Sequence, residues 1–65
     1  MGTEILLGII TGVVARTLTG FFEGEKRTLR FDPDDFPPQV LLKYLKNRNQ
    51  LFFTIERGRL ICLED

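Results

Sequence analysis

Apolar side chains crowd the first quarter of the chain without the clean alternation of a half-wet strand. Between Ile5 and Ala15 the β-branched residues Ile5, Ile9, Ile10, Val13 and Val14 dominate, with Gly8 and Gly12 at intervals. That composition predicts a long bent strand rather than a helix. A strand apolar on both faces, with glycine to relieve a bend, suits the corner of a barrel, where it curls from one sheet into the next. A short strand is expected around Leu18 to Glu23, then a turn at Gly24-Glu25, then a strand from about Arg27 to Phe31. In this last strand Thr28, Arg30 and Asp32 alternate with Leu29 and Phe31, the period-two pattern of a half-buried strand.

The period changes after Phe31. Asp32-Pro33-Asp34-Asp35 reads as a stop followed by helix-capping chemistry, because Asp accepts hydrogen bonds from free helical N–H groups and Pro suits a first turn. Leu41, Tyr44 and Leu45 recur at helical spacing with Lys43 and Lys46 on the wet side. A helix of about three turns is therefore predicted from Pro38 to Asn47, with Asn47 to Asn49 as its exit.

From Leu51 the chain returns to strands. Leu51 to Glu56 and Arg59 to Leu63 flank Arg57-Gly58, a two-residue loop with Gly second, which suits a primed hairpin turn. Unbroken pairing from that turn sets Glu56 opposite Arg59, Ile55 opposite Leu60, Thr54 opposite Ile61, Phe53 opposite Cys62 and Phe52 opposite Leu63. One face then holds Ile55, Leu60, Phe53 and Cys62 and looks into the core. The other carries Phe52, Ile61 and Leu63 and is more apolar than a solvated face, so these three are expected in an interface, with an identical chain or another protein.

Sixty-five residues leave room for one core, so residues 1–65 are read as a single small domain. A domain of this size buries only about 60% of the surface of its unfolded chain, which makes disulfides, a metal or association valuable. With one cysteine, Cys62, and no histidine, neither an internal disulfide nor a Cys/His zinc site can form. Association remains. The apolar run is far short of the ~20 residues of a spanning helix, so no membrane contact is expected, and a lone thiol without a signal-like segment points to the cytoplasm.

Nine basic and nine acidic side chains balance, so any attraction to nucleic acid must come from a local patch. The absence of serine and histidine removes Ser/His and Cys/His nucleophile pairs, and the expected role is non-enzymatic binding without a cofactor. Asp32, Asp34 and Asp35 offer oxygen ligands but lack the spacing of a calcium loop, so no metal is expected. The candidate site is Arg16, Phe21, Phe22, Lys26, Arg27 and Arg30, where aromatics and cations interleave on the second and third strands. Aromatic faces stack on unpaired bases while cations follow the phosphates. The plainer reading makes one of Phe21 and Phe22 core and the charges an ordinary wet hairpin. Two functions follow: a module binding single-stranded RNA or DNA, and a protein-interaction module that self-associates or docks a partner through its C-terminal hairpin.

The order strand, strand, strand, helix, strand, strand resembles the OB-fold, a five-stranded partly open barrel. Gly12-Val13-Val14 followed by Gly20-Phe21-Phe22 is similar to the opening run of cold-shock domains. The ending Leu51-Phe52-Phe53-Thr54-Ile55-Glu56-Arg57-Gly58-Arg59-Leu60-Ile61 resembles the last hairpin of cold-shock proteins and of bacterial translation initiation factor one. The resemblance implies a mostly β, OB-like barrel with one short helix between the third and fourth strands, and a nucleic-acid ligand. An SH3-like barrel is the alternative, differing mainly in where the helical turn sits.

Overall fold

The long first strand belongs to two strand pairs at once. In the computed structural model, which describes residues 2–65, the first half of β1 (Thr3–Val14) runs antiparallel to β4 (Leu51–Glu56) and its second half antiparallel to β2 (Thr17–Phe22). The hand-over falls on Gly8, which has Leu51 on one side and Phe22 on the other. There is no room for a side chain there: a Cβ would sit 2.5 Å from the Phe21 carbonyl oxygen and 2.5 Å from the Phe22 ring. Glycine at this position lets the Phe22 ring lie across the strand.

From β2 the sheet continues antiparallel into β3 (Glu25–Arg30), and from β4 antiparallel into β5 (Arg59–Glu64). β3 and β5 meet in parallel at one pair, Arg30 opposite Arg59, where the Arg30 N–H donates to the Gly58 carbonyl at 3.0 Å. The five strands thereby close in the order β1-β2-β3-β5-β4. The protein is mostly β, a closed five-stranded sheet with one short helix, α1 (Pro38–Asn47), between the third and fourth strands, as the change of period predicted. No helix among the described residues is long and apolar enough to cross a membrane.

Inside the sheet lie Ile10, Leu18, Phe22, Leu29, Phe53, Ile55 and Leu60, with the Phe22 and Phe53 rings edge to face at 4.8 Å between centroids. α1 sets Leu41 fully in the core and packs Tyr44 and Leu45 against it. Its start differs from the expectation. Pro37 is the N-cap, Pro38 begins the helix, and no side chain caps it. The aspartates build a separate turn instead: the Asp32 carbonyl accepts from the Asp35 and Phe36 N–H groups, and its Oδ1 accepts from the Asp34 N–H at 3.0 Å. This local hydrogen bonding reverses the chain between β3 and α1.

Three further features depart from the sequence reading. The β2–β3 turn is Glu23-Gly24, both at positive φ, so β3 starts two residues earlier, at Glu25. On β1 the bend comes from a bulge: Ile10 pairs with Gly20 but Gly12 with Thr19, leaving Thr11 as the extra residue. On β5 a second bulge places Thr54 opposite Cys62 while Ile55 stays opposite Leu60, so Ile61 is extra and the pairing beyond it becomes Phe53 with Leu63 and Phe52 with Glu64. A one-residue slip reverses which face each side chain joins. Leu63 therefore turns inward and packs against the core, whereas Cys62 is exposed. Leu63 leaves the expected interface and Cys62 leaves the expected core.

Candidate nucleic-acid interface

The outer face of β2 and β3 follows from their register. Phe21 pairs with Lys26, Thr19 with Thr28, and Thr17 with Arg30, and because the alternate positions Leu18, Phe22 and Leu29 are buried, these six side chains share the outward side. β1 extends the face with Ile9 beside Phe21 and Val14 beside Thr17. The middle row is knit by hydroxyls: Thr11 donates to the Thr19 carbonyl at 3.2 Å, and the Thr19 and Thr28 hydroxyls lie 3.4 Å apart. The result is a polar strip with an exposed phenyl ring and an ammonium group at one end and a guanidinium at the other.

At the guanidinium end the β1–β2 turn, the end of β3 and the start of β5 converge. A cleft of about 320 Å³ is lined by Arg16, Thr17, Arg30, Phe31, Asp32 and Arg59. A neighbouring cleft of about 420 Å³ shares Arg30 and Arg59 and adds Arg57, Glu56 and Asp35. Arg59 is loosely held by Asp32 at 3.7 Å, and no other carboxylate among the described residues comes within ion-pair distance of Arg16, Arg30 or Arg57. Arg30 and Arg59 face each other across the parallel pair. Like charges so placed repel, and an anion between them would turn that repulsion into a bidentate contact.

Of the residues picked from sequence, Phe21, Lys26 and Arg30 share this face, and Arg16 borders its end. Phe22 does not: it is 2% exposed, held against Phe53 and the glycine gap at residue 8, and is corrected to a core residue. Arg27 is corrected too. It falls in the same alternation as Leu29, on the inner side, and reaches Glu4, with Nη2 donating to Oε1 at 3.1 Å and Nη1 to Oε2 at 3.4 Å. That hydrogen bond, with the carboxylate's charge behind it, raises the guanidinium's already high pKa. The pair links β1 to β3 across strands that share no ladder.

Arg57 and Arg59 escaped the sequence reading. Nothing local marks them as neighbours of Arg16 and Arg30; the contact comes from the parallel β3–β5 pair, which closes a separation in chain of about thirty residues. On the other side of β1 lies a second exposed surface, where Ile5, Leu7, Phe52, Ile61 and Cys62 stand outward on β1, β4 and β5. Comparison of the chain with protein-family models, with curated proteins and with solved structures finds no match.

Proposed function

We propose that this chain is a non-enzymatic binding module of the OB type that holds single-stranded RNA or DNA across the outer face of β2 and β3. The strand order β1-β2-β3-β5-β4, with the helix between β3 and β4, supports the OB-type reading. The observation that carries the function is the alignment of Phe21, Lys26 and Arg30 on one face that runs into the arginine-lined cleft at Arg16 and Arg59. A base stacks on Phe21, Lys26 neutralises the adjacent phosphate, and the strand leaves over the guanidinium groups. Formal neutrality of the chain means the attraction comes from the local cations alone, and its salt dependence follows the few phosphates they contact.

Fluorescence anisotropy with a labelled mixed-sequence single strand tests this. The wild type binds at low salt, and Phe21→Ala loses about 1–3 kcal/mol, the usual worth of one stacked base. Absence of binding at low salt, or a Phe21→Ala variant that binds like the wild type, rejects the reading.

A second reading, protein docking, is favoured by one observation: Ile5, Phe52 and Ile61 are each about half exposed or more on adjacent strands. Apolar docking keeps its strength as salt rises, whereas phosphate contacts do not.

A further inference from the structure

We infer that the outer face of β4 and β5, with the adjoining half of β1, is the contact surface of a homodimer whose occupant is a second copy of this chain. The inference rests on the second reading above, that this face docks a protein. Ile5 is 66% exposed, Phe52 48% and Ile61 49%. The pairings of Leu7 with Phe52, Ile5 with Thr54 and Thr54 with Cys62 bring these side chains into one patch three strands wide. The bulge on β5 shapes it, because Ile61 and Cys62 are both exposed where regular alternation would turn one of them inward.

Charge selects the occupant. The turn end of the hairpin carries Arg57 and Arg59 beside Glu56, with net positive charge, and the far end of β5 carries Glu64 and Asp65. Along β5 the order is Arg59-Leu60-Ile61-Cys62-Leu63-Glu64, opposite in sign at its two ends and apolar between. A twofold axis passing between Ile61 and Cys62 runs two hairpins antiparallel. It sets Arg57 and Arg59 of one copy against Glu64 and Asp65 of the other, while Thr54, Ile61 and Cys62 meet their counterparts at the centre and Phe52, level with Glu64, packs to either side of the axis. An isologous contact needs this self-complementarity, and the opposed charges fix its register.

A standard interface takes roughly 800 Å² from each partner, under a fifth of this chain's 4534 Å², so the chain can cover this face and keep the outer face of β2 and β3 free.

Sedimentation velocity over a wide concentration range tests the inference, with melting temperature measured at each concentration. The wild type shifts from monomer to dimer as concentration rises, and its melting temperature rises in step, because association stabilises the fold by mass action. Phe52→Lys weakens the dimer at least about thirtyfold, because it removes an apolar anchor and sets a cation at the level of the other copy's Arg59. Arg57→Glu and Glu64→Lys each weaken it about tenfold, and the double variant Arg57→Glu/Glu64→Lys restores it, since the swap re-forms the opposed charges. The double variant guards against misfolding, because rescue is not expected of a damaged fold. A wild type that stays monomeric at the highest concentration, or single reversals without effect, overturns the dimer. Binding of an apolar dye, measured alongside, separates the two claims: a monomer whose dye binding is abolished by Phe52→Lys overturns only the choice of occupant, and a monomer that binds no dye overturns the docking face as well.

Discussion

Gly8→Ala and Gly12→Ala form a matched pair that tests how the closed sheet is made. Both glycines lie on β1, four residues apart, and the sequence treats them alike. At Gly8 the new methyl lands 2.5 Å from the Phe21 carbonyl oxygen and 2.5 Å from the Phe22 ring, about 1 Å inside the 3.5–4.0 Å where such atoms attract. Neither neighbour yields easily. The carbonyl sits in the β1–β2 ladder, and moving the ring opens its edge-to-face contact with Phe53. Overpacking of this kind costs about 1–3 kcal/mol, or more where backbone must shift. A chain of this length holds only about 3–10 kcal/mol in all, and each kcal/mol moves the melting temperature by about 4–8 °C, so Gly8→Ala is expected to lower it by about 10–20 °C or to prevent folding. At Gly12 an added methyl meets nothing within 4 Å, and alanine there stiffens the unfolded chain, worth up to about 0.4–1 kcal/mol of added stability. Thermal and urea unfolding followed by circular dichroism checks both. If Gly8→Ala unfolds with the wild type, or Gly12→Ala falls as far as Gly8→Ala, the close approach of Phe21 and Phe22 at Gly8 is not what the hand-over requires.

Leu63→Ala should cost about 1–2 kcal/mol, the fraction of a full leucine deletion proper to a half-buried site, while Cys62→Ser stays within about 0.5 kcal/mol; the unbulged register predicts the reverse in denaturant melts. Lys26→Ala and Arg30→Ala should each reduce the slope of log affinity against log salt by about one, whereas Arg27→Ala, whose guanidinium is already engaged by Glu4, leaves binding unchanged by anisotropy. The Glu4–Arg27 pair is partly exposed, so Arg27→Gln costs below about 1 kcal/mol. Its pH dependence has a definite sign. The folded-state pKa of Arg27 is raised, first by its hydrogen bond to Glu4, so its contribution is complete below the ordinary guanidinium pKa and is lost only as pH rises through the folded value. The difference between Arg27→Gln and wild type should therefore be flat from neutral to mildly alkaline pH, measured by urea unfolding.

What could be read from the chain was what neighbours in sequence decide. Leu41, Tyr44 and Leu45 placed α1 at its observed bounds, and Arg57-Gly58 placed the last turn, with both residues at positive φ. What escaped was set by strands remote in sequence. Phe21 and Phe22 are chemically equivalent, and the gaps left by Gly20 on the same strand and by Gly8 on another decide which ring goes in. The two bulges did leave a local trace. Ile10 and Val13 on β1, and Leu60 and Leu63 on β5, all turn toward the core at a spacing of three, which strict alternation forbids and one extra residue allows. The aspartates misled because Asp favours turns as much as helix caps, and here the turn won. Glu4 and Arg27, like Arg30 and Arg59, meet only once the sheet has closed.

The central claim, that the outer face of β2 and β3 is the ligand surface, is tested most directly by an amide chemical-shift titration of the folded protein with mixed-sequence single-stranded oligonucleotide at low salt. Shifts are predicted on β2 and β3 around Phe21, Lys26, Thr28 and Arg30, continuing into the β1–β2 turn at Arg16 and onto Arg59, and fading as salt is raised. A spectrum that does not move, or shifts confined to β4 and the outer half of β5, contradicts the account.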